Sequence, residues 1–237
     1  MKFLKFLILL MLIPSLAFGA ASRDFDGAGD LLTYASQPYG TGSVTYEVAS
    51  WINIDDKTKN PGNDFFMEGG TSAAKRRILF TIQSSNFIHS WWDASDLSAS
   101  YTPNNGAWAF VTANYDGSSV RESWVDGTKI ANDTNSSLNL ISSSANIGGS
   151  RPGAGNGDMN GRISHHHTYT RVLNNYEREE IRWKPGTVTT NLKTYSPIWG
   201  TANPEEDLSG NSNTLTIVGT TANTSGPPVM FGGGLPT

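Results

Sequence analysis

The sequence predicts an all-β fold, a two-sheet antiparallel β-sandwich of the jelly-roll kind with one short helix. Three observations point there. Two Asp-Gly dipeptides, Asp116-Gly117 and Asp126-Gly127, bracket a strand-length run, Ser118 to Val125, that lacks Gly and Pro. Asp-Gly between extended runs signals a hairpin, because both central residues of the favoured turn need positive φ. Extended runs recur along the chain at intervals of roughly 8–12 residues, separated by turn residues. Only one segment carries helical signals.

The elements follow in order. Lys2 and Lys5 precede an apolar run from Phe6 to Ile13, broken by Pro14, with small residues at Ala17 and Gly19. That run is too short to span a bilayer and suits a secretory signal over residues 1–19. Cleavage is expected after Gly19, with Ala21 as the alternative; a buried N-terminal helix or anchor is the competing reading. Phe25-Asp26-Gly27 reads as a turn opening onto a short strand at Leu31 to Tyr34.

Val44 to Ile54 alternates: Val44, Tyr46, Val48, Ser50, Ile52 and Ile54 share one face, as in a half-buried strand. Further strands are expected at 65–68, 77–83 and 87–92, then a polar loop to Asn105-Gly106. Trp108 to Tyr115 and Thr128 to Ala131 flank the Asp-Gly turns and complete a three-strand meander. Short extended runs at 138–141 and 145–149 and a longer one at 162–170 follow, the last two separated by a Gly/Asn-rich loop. Asn174 with Glu177 three residues later gives a capping-box spacing, so the helix is placed at 174–183, before Pro185-Gly186.

Composition bounds function. Of 237 residues none is cysteine, which excludes thiol nucleophiles and thiolate metal sites and leaves stability to the core. The formal charge of −4 becomes about −6 once Lys2 and Lys5 leave with the leader. A mildly acidic chain argues against nucleic acid, whose recognition needs basic patches. Without a basic amphipathic helix, no membrane insertion of the mature chain is expected.

Taken in order, Phe25-Asp26-Gly27, Val48 to Ile52, Trp108 to Gly117, Trp124 to Gly127, Ile147-Gly148-Gly149, Gly161-Arg162-Ile163, Tyr169 to Leu173 and the helix at Glu180-Ile181 resemble one family pattern. It is that of the laminin-G-like domains of the concanavalin A-like lectin/glucanase superfamily. The resemblance implies a single domain over 20–237 with about a dozen or more strands. A Trp199 and Glu205 to Asn213 stretch stands before the Phe-Asp-Gly segment in relatives and after the helix here. Region 195–237 is therefore expected to close the sandwich from the other end, as in a circular permutant; a separate small appendage is the competing reading.

Several constellations could carry chemistry. The superfamily's glucanases hold their carboxylates as Glu-x-Asp-x-x-Glu on one strand face, and this pattern is absent, so no enzyme is expected. His165, His166 and His167 alternate in a strand; at most two could share a metal, and His166 is expected to be semi-buried with the others outward. The resemblance suggests a structural calcium ion, and Asp26, Asp30, Asp207 and Asn213 form the candidate oxygen set; the competing reading is that they cap turns. Trp91 and Trp92 point to opposite faces, so one should be core and one available to a sugar; the competing reading packs both in the sandwich. With Asp93, Tyr101, Asn104, Arg151 and Asn156 they make up the candidate ligand-binding set.

The function expected is an exported, non-catalytic lectin-like or adhesion module, secreted, periplasmic or at the cell surface, that binds a glycan or surface glycoconjugate. The alternative is a self-assembling subunit or decoration of a surface layer, filament or virion.

Overall fold

A computed structural model describes residues 21–34, 38–58, 62–68, 78–91, 96–140, 145–149, 157–200 and 202–230. They form fifteen strands and one helix in two antiparallel sheets. The strands are β1 Ser22–Asp26, β2 Leu31–Tyr34, β3 Tyr46–Ile54, β4 Asn63–Glu68, β5 Ile78–Gln83, β6 Asn86–Ser90, β7 Leu97–Ser100 and β8 Trp108–Tyr115. They continue as β9 Val120–Val125, β10 Thr128–Thr134, β11 Ala145–Ile147 and β12 Asn160–Tyr169, then helix α1 Asn175–Trp183, β13 Leu192–Ser196, β14 Leu215–Val218 and β15 Thr221–Asn223. One sheet runs β10-β9-β8-β3-β12-β1-β15 with β13 added to β12; the other runs β14-β2-β11-β4-β5-β6-β7.

The two Asp-Gly turns differ. Asp126 has φ of 50° and Gly127 of 78°, which makes a two-residue turn of the primed kind. The Asp126 carboxylate accepts the Phe110 N–H at 3.1 Å, so the turn is tied to the neighbouring strand. At Asp116-Gly117 only the glycine has positive φ. There the Asp116 carboxylate accepts the N–H groups of Ser118, Ser119 and Val120, which organise a longer loop and hold this carboxyl below its ordinary value.

Strand β3 is buried on both faces, not on one. Tyr46, Val48, Ile52 and Ile54 enter the core between the sheets. Ala49 and Trp51 face the other way and meet Phe110, Tyr169, Leu173 and Ile181 beneath α1. The helix covers this face because Asn174 and Glu177 form the capping box that starts it, and Ile181 plugs the layer. Arg178 then reaches the buried Glu47 carboxylate through Nε at 2.6 Å. Burial pushes the Glu47 carboxyl up to about 7, against the pull of Arg178 and the Leu173 N–H.

Two parts of the sequence pattern meet in space. Gly148 has φ of 83°, and a Cβ there would fall inside the Phe25 ring. Phe25 of the Phe-Asp-Gly segment therefore needs the bare backbone of Ile147-Gly148-Gly149.

The C-terminal segments pair with the N-terminal ones. Strand β14 pairs with β2, and β15 with β1. Arg23 clips them from beneath: its Nε donates to Glu205 at 2.6 Å, and its other nitrogens donate to the Thr220 and Ala202 carbonyls.

Candidate functional site

The end of the sandwich where β1 finishes carries a cleft of about 450 Å³, lined by Asp24, Phe25, Asp26, Asp30, Asp55, Asn160, Arg162, Gly219, Thr221 and Asn223. Antiparallel pairing builds it. Asp24 lies opposite Arg162 on β12 and Thr221 on β15, and Asp26 lies opposite Asn160. Beyond β1 the chain turns sharply through Gly27 and Gly29, both at positive φ. In that turn the Asp26 carboxylate accepts the Ala28 N–H at 2.8 Å, and the Asp30 carboxylate accepts the Asp26 N–H at 3.0 Å. Gly219 brings the β14–β15 turn against the Asp30 carboxylate, where a side chain would collide.

Among the described residues Arg162 is the one cation of the lining. Its NH2 group donates to Asp55 at 2.6 Å, and its Nε stands 3.5 Å from an Asp24 oxygen, whose other oxygen accepts from Asn223 at 2.5 Å. Partial burial raises the Asp30 carboxyl above its ordinary range, and the negative charges of Asp26 and Asp158 add to the effect. The lining is thus rich in acceptors, with a fixed guanidinium and two amides among them. Such a surface suits a ligand that presents many hydroxyl donors. Loops 55–58 and 104–106 adjoin it, since Asp55 N–H donates to Asn160 and Gly106 N–H to Ile54.

The sequence-predicted residues fare unevenly. Trp91, expected in the ligand set, is fully buried. Its indole N–H donates to Tyr46 at 2.9 Å, Tyr46 in turn meets His89, and the Arg121 guanidinium lies 4.3 Å over its ring. It continues the inward alternation of Phe87 and His89 on β6, so packing claims it. Trp92, Asp93, Arg151 and Asn156 lie outside the described residues. Tyr101 is half-buried against the core, and burial pushes its phenol up to about 12; Asn104 is exposed. These two sit at the cleft end of β7, while Trp91 follows the far end of β6, so the described part of the set is not brought together.

The expected calcium set is also divided. Asp207 and Asn213 precede β14, and Asp30 lies past its other end, more than about 10 Å away by strand rise. Asp207 instead accepts the N–H groups of Tyr195, Ser209 and Asn213, which is a turn-capping role. Asp26 and Asp30 therefore do not share one site with Asp207 and Asn213, and among the described residues no three or more His, Asp or Glu side chains converge as a metal site would require.

The three histidines were expected to be partly or wholly outward. All are fully buried, because β12 bulges between Ser164 and His167 and α1 with β13 covers the face they would otherwise expose. Glu122 on β9 is bound to Lys129, Asn114 and Trp124, and these donors outweigh its partial burial and hold it below its ordinary value. Asp24, Asp55, Asn160, Thr221 and Asn223 were not singled out from sequence. Arg162 stood in plain view within Gly161-Arg162-Ile163, as part of a fold pattern.

Residues 26–177 match the sequence profile of the concanavalin A-like lectin/glucanases superfamily, and the chain belongs to it. Among solved structures, it is similar over 90% of its length to a proposed carbohydrate-binding protein of Bacteroides ovatus, with 14% identity and a TM-score of 0.70, and it spans 62% of that protein. It is also similar to the heptameric SAP-like pentraxin of Limulus polyphemus, with 12% identity, a TM-score of 0.60, and coverage of 89% of this chain and 98% of the other. Identities at this level establish the shared fold. No curated protein matches the chain in sequence.

Proposed function

We propose that the chain is an exported, non-catalytic carbohydrate-binding module that engages a glycan or surface glycoconjugate through the cleft at the end of β1. The observation that carries this reading is the lining itself. Arg162 is held between Asp24 and Asp55, beside Asp26, Asp30, Asn160 and Asn223, in an open cleft of about 450 Å³. Carboxylates, amides and a fixed guanidinium at such spacing can receive and donate hydrogen bonds to vicinal hydroxyls in defined directions. The lectin-like superfamily and the Bacteroides ovatus neighbour support it. Export rests on the N-terminal charged and apolar run.

The test is a glycan array followed by calorimetry on the strongest hit, run in chelator, with wild type, Arg162→Ala and Asp24→Ala. Binding that falls at least about tenfold in both variants, with no release of reducing ends from the ligand, is the expected outcome. Binding unchanged in both variants would move the site elsewhere. Silence across the array, with self-association seen by light scattering, would overturn the reading in favour of a self-assembling structural protein.

A further inference from the structure

The molecule contains a cluster of ionisable groups with no part in the cleft. His165 and His167 lie on the outer side of β12 and are sealed by β13. The Tyr195 ring stacks on His167 with centroids 4.4 Å apart and on His165 at 6.2 Å, and the Tyr195 hydroxyl meets His165 Nδ1 at 3.1 Å. The decisive contact is at His167. Its Nε2 stands 3.1 Å from the Gly186 amide nitrogen, whose hydrogen can only be donated. Nε2 is therefore the lone-pair nitrogen, and the proton sits on Nδ1. A second proton would have to enter at Nε2, where it would face another N–H.

Burial and the neighbouring imidazoles outweigh the His165 backbone, which favours a charged His167. From β13 the facing group is the Tyr195 phenol, whose own ionisation burial pushes up; from β12 it is Tyr169, likewise pushed up. From β3, Ala49 lies opposite His167, and Glu47, two residues along, is committed to Arg178 and the Leu173 N–H. Asp207, which receives the Tyr195 N–H, is committed to Ser209 and Asn213 as well. The third imidazole, His166, points the other way, onto Ser50 and the Phe66 ring between the sheets. Among the described residues strand β13 pairs with β12 alone, so this seam can open without breaking another of their strand pairs.

We infer that His165 and His167 form an acid-sensitive latch: protonation releases β13 and the Gly186 turn from β12 while the two sheets remain packed. Both imidazoles lie well below their ordinary range in the closed state because burial penalises their charge. The opened seam therefore binds more protons, and the latch is firm above about pH 6.5 and weakens as pH falls below it. At pH 5 each imidazole freed to its ordinary value favours opening by about 30-fold, and the two together by about a thousandfold.

Hydrogen exchange on the full chain tests this, measured at pH 7.5, 6.0 and 5.0 and corrected for intrinsic exchange. Peptides covering Gly186 and β13 are expected to lose protection by at least about a hundredfold relative to β8 between pH 7.5 and 5.0. His167→Gln keeps an acceptor for Gly186 without titrating and should reduce that differential at least tenfold, whereas His166→Gln should leave it. Protection falling equally in β13 and β8, or in neither, would overturn the inference. Should His167→Gln fail to fold, the wild-type comparison of β13 with β8 decides alone.

Discussion

Two arginine–carboxylate clusters in this molecule use the same chemistry to opposite ends. Arg178 and Glu47 meet where both side chains are nearly or wholly excluded from water, 5% and 0% exposed. Arg162 meets Asp24 and Asp55 at the cleft, where those carboxylates are 36% and 45% exposed. The buried pair has no free valence for a ligand: Glu47 takes two guanidinium donors and the Leu173 N–H, and the helix lies over it. Removal of either partner leaves an uncompensated charge in the interior, so the pair fixes α1 on the sheet. The cleft pair gains little from its own attraction, since water screens it, and that leaves its groups free to exchange partners. Burial, not residue type, separates scaffold from site.

The largest expected break in this contrast is Arg178→Ala, which strands Glu47. Destabilisation of about 3–5 kcal/mol in urea titration is expected, and a cost under about 1 kcal/mol would mean the helix is held by packing alone. The core between the sheets, on the other side of β3, depends on the meeting of Phe25 with Gly148. Gly148→Ala should cost about 2–4 kcal/mol through positive φ and overpacking. In a Phe25→Ala background the penalty should shrink by at least about 1 kcal/mol in a double-mutant cycle. Additive costs would show that the ring is not what excludes the methyl group.

At the cleft the expected stability effect is smaller. Arg162→Ala should change unfolding free energy by no more than about 1 kcal/mol, although it abolishes most glycan binding under the proposed function. A loss comparable with that of Arg178→Ala would erase the distinction between the two clusters.

The finest test uses pH. The Glu47 carboxyl is raised to about 7 in the fold, above its ordinary value, so folding takes up a proton between those values. Its contribution is present at lower pH and lost as pH rises through about 7. Relative to Glu47→Gln, wild type should therefore gain about 1 kcal/mol of stability per pH unit as pH falls from 7 to 6. The histidines cancel in that difference. A flat difference would show that Arg178 keeps Glu47 ionised throughout.

Much of the fold was legible because its signals are local. The capping box at Asn174 and Glu177, the alternation of β3 and the turn at Asp126-Gly127 each act within a few residues and stand where expected. Strands β1, β7, β13 and β15 were missed, since Ser22–Asp26, Leu97–Ser100, Leu192–Ser196 and Thr221–Asn223 are short and largely polar and owe their extension to their partners in the sheets. The burial of the second face of β3 and of His165 to His167 was missed for a related reason. Whether an outward face meets water depends on α1 and β13, which come later in the chain.

The site was far less legible. Asp26 and Asp30 were named for a metal with Asp207 and Asn213, yet the strand pairing puts them instead with Asp24, Asp55, Arg162, Thr221 and Asn223. These groups are distant in sequence, and nothing local in any of them announces a cleft. Alternation did separate Trp91 from Trp92, but only the core contacts of Trp91 decided that it was the buried one.

By itself the sequence determined the fold class, the superfamily and the position of the helix, because hydrophobic period, turn chemistry and capping are read over a few residues. The tertiary structure alone decided which carboxylates are ion-paired in the dark and which line an open cleft. That distinction rests on desolvation, and how much water a side chain loses is set by segments far away in the chain.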